Sequence, residues 1–176
     1  MMSERISSKV EETINRVFGG HSPKREEILH LLIIDPHSLD AGFIMASANT
    51  LSRRVSQGRA EIHAQIGLNL SPPGSSLEKF GMISEYRMAF LVAVVRLAMG
   101  RKLVGNCTHE PNLLGAAAGA NLFWAEAGAN PRDTETETSK GRGWSVSSCI
   151  RLFREADFDV LKGPSAIYGQ NAKKRW

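Results

Sequence analysis

The sequence predicts an α/β protein, rich in helix, with a small parallel sheet. Residues 60–70 alternate apolar Ile62, Ala64, Ile66, Leu68 and Leu70 with Glu61, His63, Gln65, Gly67 and Asn69, the period-two pattern of a strand. Three helical patterns precede that segment. From about residue 82 onward, helix, strand, helix, strand and helix follow one another. That order belongs to parallel α/β barrels and doubly wound sheets.

Residues 3–18 place Ile6, Val10, Ile14, Val17 and Phe18 at helical spacing, and Gly19-Gly20 ends the run. Ser22 is a suitable N-cap for a second helix. Pro23 stands at its first position and Glu26 and Glu27 in its first turn. It stops near Ile34, because the residue before Pro36 is pushed away from helical angles. His37 to Val55 predicts a third helix with Leu39, Phe43, Ile44, Ala48 and Leu51 on its apolar side. After the strand comes the Pro/Gly/Ser stretch 71–76. A long helix over about 82–99 follows, ending at Gly100. Lys102 to Asn106 reads as a short strand, 112–119 as a helix of small residues opened by Glu110-Pro111, and Leu122 to Ala125 as a buried strand. Residues 127–143 read as a polar loop. Ser145 caps a last helix, 146–156, with Val146, Ile150 and Phe153 on one side.

At 176 residues the chain is long enough for one domain with a substantial core. The net charge of +4 comes largely from Lys173-Lys174-Arg175 and Arg53-Arg54 and reads as solvated surface. No aromatic-interleaved basic stripe predicts a nucleic-acid partner. The opening residues lack the apolar stretch of a secretory leader. The apolar run Ala89–Ala98 is broken by Arg96 and too short to span a bilayer, so no membrane role and a cytoplasmic location are expected. The two cysteines, Cys107 and Cys149, have no metal-ligand spacing.

Two stretches carry a resemblance. Glu26-Glu27-Ile28-Leu29 through the strand ending Gly67-Leu68-Asn69 resembles the helical lead-in and first strand of a biotin synthase-like enzyme of the radical S-adenosylmethionine (SAM) family. The stretch from Gly81-Met82-Ile83-Ser84-Glu85 to Pro164 resembles the last αβ units of the same barrel. It includes Val94-Val95-Arg96-Leu97, Ala118-Gly119-Ala120-Asn121 and Leu122-Phe123-Trp124. The resemblance implies a partial, incomplete TIM-barrel-like parallel sheet. Residues 1–59 would be its helical lead-in, 60–70 its first strand, 71–80 a junction loop, 81–170 its C-terminal αβ units and 171–176 a basic tail.

It also implies a 4Fe–4S cluster, SAM as cofactor, and radical chemistry on a small molecule, such as sulfur insertion, among transferases. In that family three thiolates of a CxxxCxxC loop after the first strand hold three irons, and the fourth iron chelates SAM. This chain instead runs Ser71-Pro72-Pro73-Gly74-Ser75-Ser76. A complete barrel takes about 250 residues. The expectation is therefore a chain that binds neither cluster nor SAM and is inactive alone. Three readings stay open: the family's radical enzyme activity, a non-catalytic remnant or scaffold subunit, and an incomplete version of a longer enzyme. Open sheet edges would also invite a second copy of the chain.

Three constellations are candidate sites. His63 and Asn69 share the polar face of the first strand, which faces a cavity in a barrel and solvent in a shortened sheet. Asn130, Arg132 and Asp133 follow the last strand at its carboxyl end, where α/β proteins collect ligand groups; the plainer reading is a turn. Cys107, His109 and Glu110 sit at a strand-to-helix junction and offer thiolate, imidazole and carboxylate to a metal. The plainer reading there is a buried cysteine and a helix start.

Overall fold

A computed structural model describes residues 5–66, 83–108, 111–128, 144–163 and 165 of the chain, without the side chains of 64–66 and 126–128. Helix α1 (Ser8–Phe18) buries Val10, Ile14 and Val17 on one stripe. Helix α2 (Arg25–Leu32) starts two residues beyond the expected Ser22 cap, because the Glu27 carboxylate accepts the Lys24 N–H at 2.5 Å. Glu27 also holds Arg16 of α1 at 2.9 Å, which fixes the two helices to each other. Helix α3 (Leu39–Ser56) is capped by Ser38, whose Oγ accepts the Ala41 N–H. It ends where Gln57 turns left-handed at φ 57°.

The chain then enters β1 (Arg59–Ile66). Helix α4 (Glu85–Met99) begins at Ser84, which accepts the Arg87 N–H. It runs into a 3₁₀ turn over Gly100–Lys102. The short strand expected at Lys102–Asn106 falls later, as β2 (Cys107–Thr108). The reason is local. Residues 103–106 are drawn into a buried polar network, so no partner strand pairs them. Helix α5 (Leu113–Ala117) follows Asn112, whose Oδ1 accepts the Gly115 N–H. Strand β3 (Leu122–Gly128), helix α6 (Val146–Glu155) and a two-residue strand β4 (Asp159–Val160) complete the described order.

All strand pairs are parallel, in the order β2-β3-β1-β4. Glu61 is opposite Leu122 and His63 opposite Trp124, so β1 is an inner strand paired along β3. One face of the sheet carries three helices. Arg96 of α4 reaches the Asn121 side chain at the start of β3. Gly115 of α5 sits so close to Thr108 that a Cβ there would lie 2.9 Å from its methyl group. Phe153 of α6 stacks on Phe123 with ring centroids 3.9 Å apart. Ala60, Ile62, Phe123 and Ala125 meet Val92, Ala116, Cys149, Leu152 and Phe153 in one core. A second core joins α1, α2 and α3 to the other side of α4.

Gly119 is where these layers touch. It has φ +104°, and a Cβ on it would lie 2.9 Å from the Ala48 carbonyl oxygen of α3. Arg53 of α3 reaches across to the end of α6. It donates to the Ala156 and Asp157 carbonyls and lies over the Phe158 ring. A guanidinium suits these carbonyls, left without helical partners at a negative helix terminus.

The winding is uneven. The crossing from β1 through α4 to β2 passes over β3 in one direction. The crossings β2–α5–β3 and β3–α6–β4 run in the other direction. Because all three helices lie on one face, the first crossing has the opposite hand to the other two. Parallel crossovers share one hand in about 98 % of cases, so a sheet in which β1–α4–β2 differs in hand from its neighbours is unusual.

Candidate functional site

Side chains alternate along a strand. Ala60 and Ile62 point at α6, so Glu61 and His63 belong to the opposite face of the sheet. His63 Nε2 lies 3.0 Å from Glu61 Oε2. Ser165 Oγ donates to the same carboxylate oxygen at 2.5 Å. The Trp124 ring stands nearly perpendicular to the His63 ring, with centroids 5.2 Å apart. Both members of the pair are withdrawn from water: 13 % of the His63 side chain and 9 % of the Glu61 side chain are exposed. The polar face of β1 is therefore an enclosed cluster, not the solvated surface that a shortened sheet suggests.

Beneath Glu61, toward the amino ends of the strands, lies a cavity of about 20 Å³ lined by Ser56, Arg59, Val104 and Asn121 among others. Ser56 Oγ has no hydrogen-bond partner among the described residues. A space of that size with polar walls holds one water. The wider cluster is suited to holding a polar group: a carboxylate fixes the imidazole, and an aromatic edge packs beside it. Among the described residues its order is not that of a nucleophile triad. In such triads the imidazole stands between serine and acid; here the carboxylate stands between serine and imidazole.

His63 is thus placed in a built cluster. Asn69, Asn130, Arg132 and Asp133 lie outside the described residues, as do His109 and Glu110. Cys107 is exposed on β2, not the buried hydrophobe of the plainer reading. Among the described residues, no group of three or more His, Cys, Asp or Glu is placed to hold a metal. Glu61, Trp124 and Ser165 were not singled out from sequence. Glu61 had a signal, two residues before His63 and so on the same strand face. Ser165 had none, because its approach depends on the turn after β4.

The two thiols do not fit a 4Fe–4S cluster. Such a cluster takes three closely spaced thiolates from one loop, and the chain has two cysteines in all. Cys107 is on a strand at the sheet edge, and Cys149 is fully buried on α6 against the sheet. Burial pushes the Cys149 thiol up to about 11, away from the thiolate form that binds iron. A folded-state shift upward from 9.0 means that stability from this group is complete below about pH 9 and falls as pH rises toward 11. The expected outcome with a maleimide at neutral pH is fast modification of Cys107 and none of Cys149 until the chain unfolds. Mass spectrometry of the native and denatured protein reads both.

No protein-family model, curated protein or solved structure matches the chain. Among the described residues, no helix is long and apolar enough to cross a membrane.

Proposed function

We propose that this chain is a partial α/β barrel of the biotin synthase-like radical SAM type. On this reading it no longer generates radicals and serves as a non-catalytic binding or scaffold subunit. One observation carries this: its two thiols sit on separate elements, one of them buried, so the iron centre that starts the family's chemistry has no anchor. Two features of the sheet favour the barrel part. Helices α4, α5 and α6 lie on one face, as around a barrel, and a polar cluster with Glu61 and His63 lies on the other. The first strand also pairs with β4, the last of the described strands, as first and last strands do when a barrel closes.

The test is anaerobic reconstitution of the purified full chain with iron and sulfide. The expected result is no retained iron after desalting, no charge-transfer absorbance and no 5′-deoxyadenosine on reduction with SAM. A brown protein that cleaves SAM overturns the proposal. The reversed hand of β1–α4–β2 favours a second reading, in which a longer enzyme carries further strands between β1 and α4. Reading the genomic DNA between codons 66 and 83 tests it: an encoded cysteine-rich stretch there supports that reading, and an uninterrupted short segment excludes it.

A further inference from the structure

We infer that two copies of this chain associate through α4. The helix carries only three charged residues, Glu85, Arg87 and Arg96, over its whole length. Arg96 is turned inward and fully buried. The outward line of α4 is therefore apolar. Met88 and Leu91 are half-buried, whereas Val95 and Met99 are 48 % and 47 % exposed. Helix α5, packed beside α4, adds Leu113 and Leu114, both 42 % exposed. A helix that is apolar all round is normally covered, and grouped apolar exposure of this kind marks a contact surface. Met88, Leu91 and Val95 follow the three-then-four spacing of a seam between two helices, with Met88 at the border where the line meets the sheet core and Met99 beside the seam's next position.

The occupant is a second copy lying antiparallel, because the line is complementary to itself in that direction. A two-fold axis near Ala93 sets Leu91 of each copy against Val95 of the other and brings Met88 near Met99. The ends agree. Glu85 opens the helix and Arg101 and Lys102 follow it, all three exposed. An antiparallel copy sets Glu85 of each chain opposite Arg101 of the other and opposes the helix dipoles, whereas a parallel copy sets like ends together. Arg87, in the same first turn as Glu85, lies over its own Phe90 ring. The contact is isologous and closes at two chains. The surface differs from the sheet edges and does not depend on the chain's lineage.

The experiment is analytical ultracentrifugation of the full chain over a concentration series. The expected species is a dimer. Val95→Asp raises its dissociation constant about 100-fold, as a charge facing an apolar seam does, with an unchanged circular dichroism melt at low concentration because Val95 is already half-exposed in each copy. Glu85→Lys weakens the dimer, and adding Lys102→Glu to it restores association. A monomer at every concentration overturns the proposal and leaves the face to a different protein. A dimer indifferent to Val95→Asp overturns it as well.

Discussion

Phe153→Ala is expected to lower the unfolding free energy by about 3–5 kcal/mol, the range for truncating a buried aromatic side chain. Phe153 has no exposed surface. It stacks on Phe123 of β3 and meets Phe158 edge-on, with ring centroids 5.8 Å apart. It therefore ties α6 to the sheet and to the turn into β4 at once. The loss exceeds that of an ordinary core truncation because Phe123 and Phe158 lose a ring partner as well as a neighbour. Against a typical total of about 5–15 kcal/mol for a domain, the change removes a large share of the stability. Phe153→Leu keeps most of the volume and costs less. Urea unfolding followed by circular dichroism reads both. A Phe153→Ala protein with an unchanged midpoint would show that α6 is not seated on the sheet.

Asn121→Ala is expected to cost about 3 kcal/mol or more, since each buried polar group left unpaired costs about 1–3 kcal/mol. The Asn121 Oδ1 accepts from Arg96 Nη2 at 2.8 Å and from the Asn106 N–H at 2.9 Å, and its Nδ2 donates to the Val104 carbonyl at 3.1 Å. Arg96 also donates to the Leu103 carbonyl, and Asn106 Nδ2 to the Val92 and Gly119 carbonyls. One amide thus joins α4, the 103–106 turn and the start of β3. Truncating it orphans three partners and leaves a buried cation held by one carbonyl. Burial already pushes the Arg96 guanidinium down to about 10. Arg96→Met is the informative contrast. It removes the charge together with its donors, leaves the half-buried Leu103 carbonyl without its donor and leaves Asn121 its bond to Asn106, so it costs about 1–2 kcal/mol, the scale of one or two net hydrogen bonds. The two variants measured in the same denaturant series should rank Asn121→Ala well below Arg96→Met. The reverse order would mean that the arginine charge is stabilised by something beyond these neutral partners.

The helices were legible because their signals are local. The stripe Val10, Ile14, Val17 in α1 and the Ser145 cap of α6 act within one turn of the chain, and the structure uses them as read, whereas Ser38 and Ser84 cap α3 and α4 inside stretches expected to be helical already. β1 was legible for the same reason, through its alternation. What failed was set by distance. Lys102–Asn106 has a strand-like pattern, yet its backbone is engaged by the Arg96 and Asn121 side chains and its Asn106 side chain by the Val92 and Gly119 carbonyls, none of them a sequence neighbour. β4 is two residues long and exists because Arg59 and Ala60 offer it an edge. Ser22 lost its cap to Lys24 because Glu27 folds back on the backbone there. The site divides likewise. His63 and its partner Glu61 are readable as strand neighbours, whereas Trp124 and Ser165 arrive by tertiary pairing.

The position of β1 inside the sheet bears on how the chain matures. Its main partner is β3, whose first residue in register with Glu61 is Leu122, and its other edge waits for Asp159. During synthesis this apolar strand emerges long before either neighbour exists. Non-local parallel pairing is slow, and an unpaired strand is the species that aggregates. Yield in a cell should accordingly improve when translation is cooled or when a holdase is supplied, far more than it would for a helical bundle of the same size.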